Sequence, residues 1–263
     1  MNAWGSIVLA LLGAVLLSGG TILQWLGHER HGRVAPDAWR VAEQPMWWLG
    51  IGVGALGTFC YYAALWTGLL SLVQPLSSLH IVFTAVGMAW LRKEAVLGVR
   101  AGSIALVALG VLACLVGEIG RTNTATPEPW GGLWFALLLL VVVLAALLLP
   151  KHADRLSIWA GCAYSVSAVS WKGVADLGAS FQGVASGMLF GATYVMGFMF
   201  MQAAFRRGGA ASVNAVATGV ATALPMAAAM WIFHEPVGWL TWVGVALIVA
   251  GVLIRRQRRA PAA

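Results

Sequence analysis

Residues 101–116 are Ala101-Gly-Ser-Ile-Ala-Leu-Val-Ala-Leu-Gly-Val-Leu-Ala-Cys-Leu-Val116, a run without a charged side chain. A second such run covers residues 132–149. Both runs approach the roughly 18 to 20 residues that an α-helix needs to cross about 30 Å of hydrocarbon. The chain of 263 residues is 60% hydrophobic and only 10% charged, whereas a soluble domain is about 25% charged. This composition predicts an all-α integral membrane protein.

Apolar runs between charged or proline-containing breaks predict nine transmembrane helices. The predicted spans are residues 4–26, 46–66, 69–91, 97–117, 132–149, 156–177, 184–205, 209–233 and 237–254. Lys and Arg accumulate in cytoplasmic loops. With the N-terminus outside, all of the 16 basic residues except Arg121 and Lys172 fall in inner loops or in the tail. Eight or ten spans would spoil this segregation, so we expect the N-terminus outside and the C-terminus inside.

The net charge of +7 is carried by basic residues that lie between the apolar runs. Such residues mark membrane topology, so we expect no nucleic-acid partner. The sequence has no Walker motif and no His/Cys/Asp cluster with metal-ligand spacing. We therefore expect no cofactor and no enzymatic activity, and any pumping must use an ion or solute gradient.

The two halves of the chain are similar to each other. One ungapped register pairs Ser71 with Ser212, Trp90 with Trp231, Glu94 with Glu235, Gly50 with Gly191, and Gly110 with Gly251. Each half then holds four corresponding spans, and the fifth span is an extra crossing that inverts the second half. A chance alignment of apolar sequences is the alternative. The predicted organisation is a first repeat (1–119), a connector (120–155), a second repeat (156–254) and a basic cytoplasmic tail (255–263).

Three motifs follow one another along the chain. They are Ser71 to Leu76 with its Gln74-Pro75 pair, the serine-rich stretch Cys162 to Gly173, and Glu235-Pro236 ahead of a Gly-rich last span. In order and spacing they resemble the EamA-like drug/metabolite transporter superfamily, and within it the NIPA-type magnesium transporter branch. The resemblance implies secondary transport by alternating access.

One position departs from the magnesium branch. Where that branch has a Gly-Glu pair followed by Asn, this chain has Gly57-Thr58 followed by Tyr61. Mg²⁺ prefers carboxylate and carbonyl oxygens, so the missing acid counts against magnesium as the substrate.

Polar side chains within the predicted spans are candidate substrate ligands, because their burial in hydrocarbon is costly. Lys172 could bind an anionic group or change its protonation; the alternative is an ion pair with Asp176, one helical turn later. Gln74 and Pro75 begin the third span, and Asn214 lies near the corresponding point of the eighth span. Proline frees backbone carbonyls and an amide can bind a polar solute, although ordinary interhelical hydrogen bonding explains these residues equally well.

Further candidates are one histidine and several aromatic residues. His80 lies near the middle of the third span and could relay a proton, or it could be a packing residue. Aromatic rings with polar edges could form the walls of a cavity, or could anchor the helices at the membrane surface. These candidates are Tyr61, Tyr164, Trp171 and Tyr194, with Gln202 as a further polar residue.

Two surface features suggest partners. The spacings Gly50-x-x-x-Gly54 and Gly183-x-x-x-Gly187-x-x-x-Gly191 could form a homodimer face or could pack within one bundle. The acids Glu118, Asp176 and Glu235 fall near the outer ends of spans and could form a vestibule that concentrates cations.

These observations predict a transporter in a bacterial inner membrane that moves a small organic metabolite by alternating access. The cavity is expected between the first, third, sixth and eighth spans. The alternatives are a divalent-cation transporter, a flippase for lipid-linked substrates, in which Lys172 meets a lipid phosphate, and a non-transporting assembly partner. Partners are thus a small-molecule or ion substrate and membrane lipid.

Overall fold

The structure is a computed structural model that describes residues 3–30, 43–93, 99–118, 130–131, 152–207 and 210–257, together with 135, 137 and 140. Every regular element in these ranges is helical. The helices are α1 (Ala3–Arg30), α2 (Pro45–Thr67), α3 (Leu70–Ser77), α4 (Leu79–Leu91), α5 (Val99–Glu118), α6 (His152–Leu177), α7 (Phe181–Phe205), α8 (Ala210–Trp231) and α9 (Trp239–Gln257).

Six segments of the described chain are long and apolar enough to cross a membrane. They are Trp4–His28, Pro45–Thr67, Leu70–Leu91, Ala101–Glu118, Phe181–Phe205 and Val213–Trp231, and Trp239–Val252 is a shorter apolar helix. Described residues whose regular elements are all helical, with six such segments, are consistent with an integral membrane protein. The count of nine spans and their orientation stay predictions, because most of the fifth predicted span, 132–149, lies outside the described residues and α6, which covers the sixth, is not among the six segments.

Glycines allow α1 and α2 to pack with their backbones in close approach. A Cβ atom on Gly20 would lie 2.7 Å from the backbone of Gly54, and one on Gly50 would lie 2.7 Å from the backbone nitrogen of Gln24. The Gly50-x-x-x-Gly54 spacing therefore serves packing within the bundle. In α7, by contrast, a Cβ on Gly191 would meet no atom within 4 Å, and a homodimer through that face stays a prediction.

Helices α5 and α9 pack antiparallel through reciprocal contacts. A Cβ on Gly110 would meet the carbonyl of Gly244 and the side chain of Ile248, and a Cβ on Gly251 would meet the carbonyl of Ser103 and the side chain of Val107. In the repeat register, each contact of the first set corresponds to one of the second. Such pairing is what a two-fold axis between two helices produces. Antiparallel packing of these corresponding helices agrees with halves of opposite orientation.

The third predicted span, 69–91, is not one helix but two. Helix α3 ends at Ser77 and α4 begins at Leu79, with Ser78 in the turn between them. Pro75 lies within α3 and has no N–H to donate. The carbonyl of Pro75 accepts hydrogen bonds from the Ser78 N–H at 3.1 Å and from the Ser78 hydroxyl at 2.6 Å. These local bonds compete with the helical ladder and end α3.

Replacing Gly50 by Ala should lower the melting temperature of the purified protein. The added methyl group would lie 2.7 Å from the Gln24 nitrogen and 2.9 Å from the Gly20 carbonyl oxygen, and backbone atoms cannot turn aside. Overpacking of this kind costs about 1–3 kcal/mol. Gly52→Ala on the same helix is the control, because its Cβ would meet nothing within 4 Å. The close approach of α1 and α2 would be contradicted by equal melting temperatures for the two variants.

Candidate functional site

A cavity of about 370 Å³ lies among seven of the helices. Its lining residues are Leu17 and Gln24 on α1; Ile51, Gly54, Ala55, Thr58, Tyr61 and Tyr62 on α2; Gln74 and Ser77 on α3; His80 on α4; Tyr164 on α6; Tyr194, Phe198, Met201 and Gln202 on α7; and Asn214, Ala217, Thr218 and Ala221 on α8. None of these lining residues is Asp, Glu, Lys or Arg. The described wall of the cavity is therefore uncharged but rich in hydroxyl and amide groups.

The histidine of the cavity is positioned by the break between α3 and α4. The N–H of Ile81 is hydrogen-bonded to the carbonyl of Ser78, at 3.0 Å, and not to that of Ser77 as in a continuous helix. The freed Ser77 carbonyl lies 2.8 Å from His80 Nδ1. On its other side, His80 Nε2 lies 2.8 Å from Thr218 Oγ1 and 3.1 Å from Asn214 Oδ1. His80 thus joins the broken helix to α8.

Gln74 has a similar function at a proline. Pro225 lies within α8, so the carbonyl of Ala221, four residues earlier, lacks its usual i+4 N–H partner. The Gln74 amide nitrogen donates a hydrogen bond to this carbonyl, and the amide oxygen accepts one from the Tyr61 hydroxyl. One side chain therefore satisfies a freed carbonyl and fixes a cavity tyrosine.

Another polar cluster borders the cavity where α1 ends and α2 begins. Gln202 Nε2 donates to Gln24 Oε1 at 2.5 Å, and Gln24 Nε2 donates to the Gly50 carbonyl at 3.3 Å. Gln202 Oε1 lies 3.1 Å from the indole nitrogen of Trp47 and 2.9 Å from His28 Nε2. These five residues connect α1, α2 and α7 across one end of the cavity, and we refer to the four side chains of Gln24, His28, Trp47 and Gln202 as the amide cluster.

Tyrosines form the middle of the cavity wall. The Tyr194 hydroxyl is 3.1 Å from Thr58 Oγ1, which links α7 to α2. The Tyr62 hydroxyl is 2.5 Å from Ser167 Oγ, and the Tyr62 carbonyl accepts a hydrogen bond from the Trp171 indole at 2.9 Å. Because the hydroxyl groups have partners, the rings present fixed aromatic faces.

Seven of the ten residues predicted from the sequence line this cavity. They are Tyr61, Gln74, His80, Tyr164, Tyr194, Gln202 and Asn214. The other three lie elsewhere: Pro75 is buried in α3, Trp171 packs behind Tyr62 at a ring distance of 5.4 Å, and Lys172 forms an ion pair with Asp176 at 3.2 Å. A part in substrate binding stays a prediction for all ten residues.

Two of the helices that form the cavity wall, α2 and α7, are not among those predicted to do so. We expected the cavity between the first, third, sixth and eighth spans, whereas α2 and α7 supply about half of the lining. Thr58, Ser77 and Thr218 were not among the predicted residues. Thr218 could have been found from spacing alone, because it lies one turn after Asn214 on the same helical face.

Two of the three acids proposed for a vestibule are in fact buried. Glu118 and Glu235 are 1% and 2% exposed. The Glu235 carboxylate accepts hydrogen bonds from the backbone N–H groups of Leu70 and Ser71, each at 2.8 Å. Glu118 accepts bonds from the Ser71 and Thr241 hydroxyls, at 3.2 and 2.5 Å. The two acids therefore cap the N-termini of α3 and α9.

Glu235 lies between α8 and α9, outside the candidate membrane segments. Burial raises the pKa of its carboxyl above the usual range, and the hydrogen bonds from Ser71 and Leu70 and the charge of Lys172 only partly oppose this effect. Because the folded pKa exceeds the unfolded one, the protonated acid stabilises the fold at low pH, and this contribution is lost as the pH rises through the folded pKa.

Comparisons with known proteins give one weak relative. No protein-family model and no solved structure matches the chain. A stretch of 127 residues is 24% identical to the probable magnesium transporter NIPA1 of Arabidopsis thaliana. The match covers 47% of this chain and 35% of that protein, so this chain spans about a third of the relative's length. The similarity suggests a family of membrane transporters, and membership of the drug/metabolite superfamily stays a prediction.

Glu235→Gln should weaken the dependence of the melting temperature on pH. The wild-type protein loses the Glu235 contribution between about pH 4.3, the pKa of an unfolded glutamate, and the higher folded pKa. Glutamine does not titrate. When melting curves are recorded across this pH range, the variant should therefore lack the part of the fall in melting temperature that Glu235 causes. An unchanged profile for Glu235→Gln would refute the assignment.

Proposed function

We propose that the protein is a secondary membrane transporter that binds its substrate in this cavity and moves it by alternating access. The observation that carries the proposal is the position of the cavity beside the break between α3 and α4 and beside α8, which contains Pro225. Irregular backbone at membrane depth is tolerated where it lines a cavity. In the repeat register α8 corresponds to the third predicted span, and substrate sites of transporters lie where irregular helices of the two halves meet.

The lining favours a small organic substrate. A volume of about 370 Å³ falls within the range of small-molecule sites. Tyrosine rings offer aromatic faces, and Gln202, Asn214 and Thr218 offer donors and acceptors on several sides. A fixed set of polar groups on an apolar wall is typical of sites that orient an uncharged or cationic organic molecule.

A divalent cation is the second candidate, because the relative is described as a probable magnesium transporter. The described cavity offers amide and hydroxyl oxygens to a hydrated cation but no carboxylate. Sites for Mg²⁺ normally include one or two carboxylates. The lack of a carboxylate in the described lining supports the organic substrate over the divalent cation.

The remaining alternatives differ in what the cavity should look like. A non-transporting assembly partner needs no central cavity, so the presence of one favours transport. A flippase was predicted to use Lys172, but Lys172 is paired with Asp176 and does not line the cavity.

We further propose that the protein lies in a cell membrane, specifically a bacterial inner membrane. It would cross that membrane nine times, with its N-terminus outside.

Thermal unfolding of the detergent-purified protein should detect the substrate class. A ligand that binds only the folded state stabilises it by about 2.7 kcal/mol at a concentration of 100 times its Kd. The panel contains amino acids, amines, sugar phosphates, lipid phosphates and divalent cations. We expect one organic class to raise the melting temperature. Stabilisation by Mg²⁺ alone would replace the organic substrate by a cation, and a flat response would argue for an assembly partner.

Two variants localise the effect. Tyr194→Leu removes a cavity ring and its hydroxyl, and it should weaken binding at least about tenfold, the equivalent of 1.4 kcal/mol. Lys172→Met should keep the ligand-induced shift, because Lys172 lies outside the lining. Loss of the shift in Lys172→Met with retention in Tyr194→Leu would move the site away from the cavity.

A further inference from the structure

His80 has hydrogen-bond partners that constrain where its protons can lie. A backbone carbonyl accepts hydrogen bonds and cannot donate them, so the contact of 2.8 Å to the Ser77 carbonyl requires a hydrogen on Nδ1. In a neutral imidazole Nε2 is then an acceptor, and in an imidazolium it is a second donor. The neighbours of Nε2 therefore distinguish the two protonation states.

Asn214 presents its oxygen to this nitrogen. Asn214 Oδ1 lies 3.1 Å from His80 Nε2, while Asn214 Nδ2 donates to Thr84 Oγ1 at 3.3 Å. Two acceptors would face each other if the ring were neutral. This arrangement fits a proton on Nε2, whereas a neutral ring requires the amide of Asn214 to rotate and donate to it. The hydroxyl of Thr218, 2.8 Å away, can either donate or accept.

A rotation of Asn214 would reverse a chain of hydrogen bonds. The Thr84 hydroxyl donates to Ser18 Oγ at 3.2 Å while it accepts from Asn214. After rotation, Asn214 Oδ1 would need a donor, and the Thr84 hydroxyl would have to turn away from Ser18 to supply it. The chain runs through α4, α8 and α1. One proton on His80 therefore changes bonds between helices of both halves.

The surroundings make this proton the dominant charge in the cavity. The titratable groups that line the cavity together with His80 are the phenols Tyr61 and Tyr62 on α2, Tyr164 on α6 and Tyr194 on α7. The described residues of α8 and α1 in the lining include no titratable side chain. An imidazolium here has no carboxylate or ammonium group among the described lining residues to offset it, so its charge acts directly on a bound substrate.

We propose that His80 is the proton-binding site of the cavity, and that its protonation state sets the orientation of the Asn214 amide. A proton supplied by hydronium from solution adds to the Nε2 lone pair and leaves water behind, and the amide turns its oxygen toward the new N–H. Release of the proton to water reverses both changes. On the proposed transport function, this step couples a proton to the substrate: a cationic substrate competes with the proton, and an anionic one binds together with it.

Nitrogen-15 NMR of the histidine rings tests the proposal without a substrate. Histidine-labelled protein is titrated in detergent from about pH 5 to about pH 8.5, the range in which histidines change charge. The His80 signals, assigned by their loss in His80→Gln or, if needed, His80→Asn, should change from the pattern of a neutral tautomer to that of imidazolium. The side-chain amide of Asn214, assigned with Asn214→Ala, should shift with the same midpoint.

His28→Gln is the matched control. His28 also contacts an amide oxygen, that of Gln202 at 2.9 Å, but it belongs to the amide cluster. Removing it should leave the coupled titration of His80 and Asn214 intact, whereas His80→Gln should abolish the shift of Asn214. A constant His80 pattern, or an Asn214 amide that does not follow it, would overturn the proposal. A flat response in the ligand panel with an intact titration would instead refute the transport function and leave the proton site in place.

Discussion

Backbone carbonyls that lose their helical partner, at a proline or at a helix break, are the constraint on which the interior of this protein depends. Within hydrocarbon, an unsatisfied carbonyl costs several kcal/mol because no water replaces its lost partner. Pro225 frees the carbonyl of Ala221, and the turn after Pro75 frees that of Ser77. Side chains bond both carbonyls, Gln74 the first and His80 the second. The same two side chains also line the cavity. The hydrogen bonds that satisfy the free carbonyls therefore hold in place part of a polar binding surface.

The charged side chains of this region lie at the edge of the interior, outside the cavity lining. The ionised or ionisable groups Glu118, Glu235, Lys172 and Asp176 lie near the beginning of α3 or on the last turns of α6, outside the cavity lining. Glu118 and Glu235 can be buried because backbone N–H groups and hydroxyls surround their carboxylates. Because none of these four charged residues is part of the described cavity wall, neutral hydrogen-bonding side chains would recognise a substrate.

The two polar regions of the cavity differ in what they could do. The amide cluster around Gln202 joins α1, α2 and α7 by side-chain bonds that can break and re-form without a change of charge. The group around His80 joins α4, α8 and α1 and contains a residue that can gain a proton. Alternating access needs contacts that differ between two states, and these two groups are among the described contacts at the cavity that could differ in this way.

The amino-acid sequence by itself determined the helical membrane class, the internal similarity and most of the candidate polar residues. The sequence shows these features directly as runs of apolar residues with isolated polar residues among them. A polar side chain stands out in such a run because its burial in hydrocarbon costs free energy at any position. Gln74, His80 and Asn214 could be found in this way. The bonds of these side chains to Ala221, Thr218 and Thr84 could not be predicted, because each joins residues that are distant along the chain.

Only the tertiary structure decided which polar residues meet. Lys172 and Tyr194 are both polar residues within predicted spans. Tyr194 lines the cavity, whereas Lys172 forms an ion pair with Asp176. The outcome depends on how α6 and α7 are rotated about their axes, which is set by close contacts such as that of Gly197 with the Tyr164 ring. Hydrophobic periodicity cannot fix this rotation when both lipid and protein interior are apolar. Packing of small residues and the saturation of freed carbonyls fix it instead.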